Sequence, residues 1–135
     1  MRVLLICIAC TFAGIGHASQ CSMGSVTDSQ MYLASYYHSQ AATAFNIKCD
    51  KSYNITFSSA NLQNVNGWSF VSNGPYKLRT RLTVSGPVDN KWNVPLTARS
   101  TGTSKYVIAV HLEERPSIQV PAGVYRDTVY VNLAF

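Results

Sequence analysis

Charge is what this sequence has least of. Only 13% of its 135 residues are charged, and just six are acids: Asp28, Asp50, Asp89, Glu113, Glu114 and Asp127. Glu113 and Glu114 alone are adjacent, and neighbours on a strand point to opposite faces, so they do not form an acid/base pair. Histidine is equally scarce: of the three, His17 lies in the leading segment, and His38 and His111 stand far apart and read as ordinary surface or edge residues. No HExxH, GxSxG or glycine-rich phosphate loop occurs. These gaps argue against an enzyme, and they leave no metal site, cofactor or small-molecule substrate to expect. Long apolar runs are missing too, the longest being Val3 to Ala13, well short of the roughly 20 residues of a membrane-spanning helix. The net charge of +5 is mild, includes Arg2, and does not by itself indicate nucleic acid.

The beginning of the chain is more informative. Met1-Arg2, the apolar run and the small-residue stretch Gly14-Ile15-Gly16-His17-Ala18 have the three-part pattern of a secretory signal peptide. Gly16 and Ala18 suit the small positions of a cleavage site, which places the mature domain at 19–135. A lipoprotein reading, with Ile8-Ala9 ahead of Cys10, leaves an apolar region of only a few residues. Cleavage after Ala18 removes Cys7 and Cys10 and leaves Cys21 and Cys49. In an oxidising compartment a lone pair of thiols ends as a disulfide. A metal site is the alternative, but no CxxC or HxxxH partner accompanies the pair.

The mature length suits one domain. Turn signals recur at Asn66-Gly67, Asn73-Gly74-Pro75, Ser85-Gly86-Pro87, Gly102 and Pro121-Ala122-Gly123. Between them the pattern alternates with a period of two, the signature of half-buried strands. Apolar residues take the odd positions in Phe45–Cys49 and in Tyr53–Phe57, and the even positions in Leu78–Val84, where Arg79 and Arg81 face out. Tyr106, Ile108, Val110 and Leu112 make one face of a later strand, opposite Ala109 and His111. From Val124 onwards, Tyr125, Val129, Val131, Leu133 and Phe135 form an apolar row interrupted by Asp127. A buried carboxylate there would need partners; the simpler expectation puts Asp127 at the mouth of the fold. Met31 to Ala44 is the one helix candidate, weakened by its Ser, Tyr and His content. The pattern predicts an all-β sandwich.

The segments Cys21…Phe45-Asn46-Ile47-Lys48-Cys49…Tyr53-Asn54-Ile55-Thr56-Phe57, with the ending Gly123-Val124-Tyr125-Arg126-Asp127-Thr128-Val129, resemble the spore coat protein U family, which includes the pilins of archaic chaperone–usher systems. The stretch from Asn61 to Ser104 departs from that family's pattern. The resemblance implies an immunoglobulin-like sandwich that lacks its last strand. It also implies a groove lined by Tyr125, Val129, Val131, Leu133 and Phe135, filled first by a periplasmic chaperone and then by a neighbouring subunit delivered through an outer-membrane usher. The expected route is export to the periplasm and then to a pilus or coat at the cell surface. Only Ser19 and Gln20 would precede Cys21, too little to donate a strand, so the expectation is a terminal subunit at a fibre tip or a coat component that does not polymerise by N-terminal donation. The competing expectation is a self-contained secreted, lectin-like adhesive module.

Three further features stand out. Lys77, Arg79 and Arg81 share a strand face and could meet an acidic polymer or an anionic cell surface, although such rows are usually just solvated and edge-protecting. Tyr32, Tyr36, Tyr37, Trp68, Phe70, Tyr76 and Trp92 are expected mostly in the core. Asn54-Ile55-Thr56 matches a glycosylation sequon by pattern.

Overall fold

The computed structural model describes residues 3–13, 21–24, 26–99 and 102–134. Its elements are all strands: β1 Val3–Ala13, β2 Cys21–Met23, β3 Gln30–Leu33, β4 Gln40–Cys49, β5 Tyr53–Ser59, β6 Trp68–Asn73, β7 Tyr76–Ser85, β8 Leu96–Ala98, β9 Gly102–Leu112 and β10 Val124–Ala134. The all-β expectation holds. The helix candidate at Met31–Ala44 does not: it divides into β3 and the start of β4. Met31 and Leu33 are buried between exposed neighbours, a period of two that a helix cannot satisfy.

Hydrogen bonding runs β2-β4-β9-β7-β6-β10-β1-β3, with β5 paired to both β10 and β8. Every pairing is antiparallel except that of β1 with β10. β10 is the hinge of the arrangement. Near its start Arg126 pairs with Ser72 of β6, whereas Val129 to Ala134 pair with β5. The chain thus folds into two layers, β2-β4-β9-β7-β6 and β8-β5-β10-β1-β3, which meet face to face. Phe57 of β5 lies 5.9 Å from Tyr106 of β9 and 6.5 Å from Phe45 of β4, ring centre to ring centre, although β5 pairs with neither strand.

The core is what the alternating pattern dictates. Phe45, Ile47, Ile55, Phe57, Leu78, Leu82, Tyr106, Ile108, Val110 and Leu112 are buried, and their chain neighbours look outward. Tyr53 and Tyr106 bring hydroxyls into this apolar interior and satisfy each other at 2.6 Å. Burial, followed by that contact, pushes the Tyr106 phenol well above its ordinary range. Trp92 is buried as well; its ring packs on Phe57 and its indole N–H donates to Asn90.

Cys21 and Cys49 face each other across the β2–β4 ladder and form the disulfide. The Asn66-Gly67 turn contains the tightest backbone approach. Gly67 has φ of +89°, and a Cβ there would stand 2.0 Å from the carbonyl oxygen of Leu82. Only glycine fits, because the Leu82 N–H also donates to the Gly67 carbonyl at 2.7 Å.

Candidate strand-acceptor groove

The last strand organises the site. Along β10 the odd residues Tyr125, Asp127, Val129, Val131 and Leu133 are all buried, and the even ones are turned outward. Tyr125 also anchors the approach to the strand, donating its hydroxyl to the Pro121 carbonyl at 2.7 Å. Four of the five residues expected to line a groove are therefore brought together on one inward row. The fifth, Phe135, lies outside the described residues, as does the expected cleavage site at 16–18.

β10 has two edges. One is taken by β6 and β5. Along the other lies β1, parallel and in continuous register from Val3 opposite Val124 to Ala13 opposite Ala134. The far side of β1 is bordered by β3, which pairs antiparallel with Leu4 to Cys7. Between β10 and β3 there is thus a slot one strand wide, about 35 Å long for eleven residues at 3.2–3.4 Å each. The N-terminal segment read as a signal peptide is the strand that occupies it.

Asp127 overturns an expectation. It does not sit at the mouth of the sandwich but is 3% exposed. Its Oδ1 accepts from the backbone N–H groups of Asn61 at 3.1 Å and Thr128 at 2.8 Å, and its Oδ2 accepts from the Ser69 hydroxyl at 2.7 Å. Here β10 leaves β6 and joins β5, so the ladder is interrupted and backbone donors lose their partners. The carboxylate supplies the missing acceptors. Asn61 completes the joint, its side-chain N–H groups reaching the carbonyls of Phe70 and Arg126. Burial raises the Asp127 carboxyl above its ordinary range, against the lowering effect of hydrogen bonds from Ser69, Ser59, Thr128 and Asn61.

The other expected residues lie elsewhere. Lys77, Arg79 and Arg81 stand on the outward face of β7, where Lys77 lies 4.6 Å from the ring centre of Phe70 and Arg81 5.2 Å from that of Trp68. The expected core role of the aromatics fails for six of the seven. Trp68 and Phe70 are half-buried on the outer face of β6, Tyr32, Tyr36, Tyr37 and Tyr76 are exposed, and Trp92 alone is in the core. Glu113 and Glu114 lie beyond the end of β9 rather than on it, and a Glu114 carboxylate oxygen accepts from the Arg79 backbone N–H. His38 is exposed with φ of +67° and stacks on Tyr37, while His111 is half-buried on β9. Asn54 of the sequon is exposed and accepts from the Thr97 hydroxyl. Among the described residues no group of three or more His, Cys, Asp or Glu could hold a metal ion.

No protein-family model matches the chain, and no curated protein does. Among solved structures, it is similar to CfaE, the adhesive subunit of the CFA/I fimbria of enterotoxigenic Escherichia coli. The match has a TM-score of 0.41 and 8% sequence identity, and covers 71% of this chain. The chain spans 41% of the length of that subunit.

Proposed function

We propose that this chain is a structural subunit of a cell-surface fibre or coat, completed by a strand that another protein donates. The observation that carries the reading is the slot between β10 and β3, occupied along its length by Val3–Ala13. Removal of residues 1–18 as a signal peptide would take away β1 and leave two unpaired strand edges above the apolar row of Tyr125, Val129, Val131 and Leu133. Such an opening binds an extended segment well: main-chain bonds give affinity, and alternating side chains give selectivity. Left open, it is an aggregation hazard. A periplasmic chaperone, an outer-membrane usher and neighbouring subunits are the partners this predicts. The resemblance to the spore coat protein U family supports the same reading, and the Cys21–Cys49 disulfide accords with an oxidising destination.

The second reading, a self-contained adhesive module, is favoured by one fact: with β1 in place the slot is filled and the sandwich closed. The two readings separate in a single experiment. Residues 19–135 are expressed in a periplasm alone, and again with a linker and an alternating apolar strand fused to the C-terminus. Soluble, cooperatively folding protein only from the fused form supports the acceptor subunit. Equal solubility and stability of both forms would discard it in favour of the self-contained module.

A further inference from the structure

We propose that the outward face of β6 and β7, joined by Arg126 of β10, is a binding strip for an acidic polysaccharide. Alternation on β7 turns Lys77, Arg79 and Arg81 to the same side, spaced about 6–7 Å apart along the strand. Cross-strand register sets Arg81 opposite Trp68, Arg79 opposite Phe70 and Lys77 opposite Ser72, and Ser72 in turn opposite Arg126. Four cations therefore share one face across three strands. Among the described residues Glu114 is the single carboxylate lining the adjoining cleft, and it is already engaged by the Arg79 backbone.

These cations are not loose. Lys77 rests over Phe70 at 4.6 Å, and Arg79 and Arg81 rest over Trp68 at 5.9 and 5.2 Å. A free Lys or Arg gives up about 2 kcal/mol of rotamer entropy when it is immobilised on a ligand. Cations seated on half-buried rings have given up part of that beforehand, which is the advantage of preorganisation.

Beside the strip lies a cleft of about 340 Å³ whose walls include Trp68, Phe70, Lys77 and Arg79 and the amides of Gln63 and Asn64. Amides that can meet sugar hydroxyls, next to fixed cations that can meet carboxylates, suit a chain of uronate-like sugars. A single-stranded nucleic acid fits less well, because it binds by stacking bases on aromatic faces, and here the cations already cover Trp68 and Phe70.

The test is titration of the full chain with an oligogalacturonate, with its methyl-esterified neutral counterpart and with an oligothymidylate. The oligogalacturonate is expected to bind tightest, and more weakly as salt is raised. Arg79→Gln combined with Arg81→Gln is expected to weaken it about tenfold, and Lys51→Gln, in the β4–β5 loop, to leave it unchanged. Lys77→Gln is a second variant, with an expected loss of about threefold, because that exposed side chain can be changed without touching Arg81. Equal binding of the neutral ester or of oligothymidylate would overturn the proposal, as would unchanged affinity in either variant that retains the parent's thermal transition.

Discussion

Replacing Asp127 tests the joint at which β10 changes partners. In Asp127→Ala, the N–H groups of Asn61 and Thr128 and the hydroxyl of Ser69 lose their acceptor together. A buried donor left unsatisfied costs about 1–3 kcal/mol. Two of the three are backbone groups in a part-buried setting that water can reach in the variant, so the lower end applies to them. The expected loss is about 3–5 kcal/mol, a large part of the 5–15 kcal/mol available to an ordinary domain. Asp127→Asn keeps an acceptor oxygen for the backbone donors, and the Ser69 hydroxyl can turn to accept from the new amide. It should cost no more than about 1–2 kcal/mol. Urea unfolding of the full chain at neutral pH measures both. A loss below about 1 kcal/mol in the alanine variant would show that the carboxylate does not hold the joint. The pH dependence carries a sign of its own. The folded Asp127 pKa lies above its ordinary value, so ionisation at neutral pH costs the folded state, and protonation on acidification restores that stability. The gain of the parent over Asp127→Asn should therefore grow as pH falls through the raised folded pKa, and level off below the ordinary carboxylate range. A parent that loses ground to Asp127→Asn over that window would contradict the burial argument.

Other outcomes follow from the same structure. Reducing the disulfide between Cys21 and Cys49, which are 28 residues apart, should lower stability by about 3–4 kcal/mol in the chain-entropy picture; denaturant midpoints with and without reductant measure this, and an unchanged midpoint would refute it. Val131 is 1% exposed while its neighbour Tyr130 is 36% exposed. Val131→Lys should therefore prevent folding or cost more than about 3 kcal/mol, whereas Tyr130→Lys should stay within about 1 kcal/mol of the parent. Soluble yield and thermal midpoint distinguish the two, and similar behaviour would mean that the facing of β10 is wrong. Gly67→Ala should destabilise by about 2–3 kcal/mol through left-handed backbone strain and the clash with the Leu82 carbonyl; a variant that melts with the parent would remove that turn from the account.

Much of the fold was legible because strand facing is a local property. The alternation in Phe45–Cys49, Tyr53–Phe57, Leu78–Val84 and Tyr106–Leu112 is reproduced residue by residue in what is buried. The inward facing of Tyr125, Val129, Val131 and Leu133 could be read for the same reason. Where the reading failed, the deciding contact was distant. Asp127 breaks an apolar row, and nothing near it in the chain announces Asn61 or Ser69, which lie 66 and 58 residues away. Trp68 and Phe70 look like core residues by composition. Their outward position depends on which face of β6 meets the opposite layer, and the charged partners that shelter them come from β7. Between Met31 and Ala44 the short β3 was hidden because four residues offer too little periodicity to separate a strand from a helical turn.

The sequence by itself determined that the fold is all-β and which residues of each strand face inward, and it left Cys21 and Cys49 as the pair expected once residues 1–18 are set aside. Each of these depends on side-chain alternation, turn chemistry or the count of cysteines. Only the tertiary structure decided that β10 carries two partners on one edge and β1 on the other, that a carboxylate closes the resulting break in the ladder, and that β7 lays its cations over the rings of β6. Those features depend on register between segments far apart in the chain. Backbone donors and acceptors look alike at every residue, so their pairing is settled only when the two layers close on a common core.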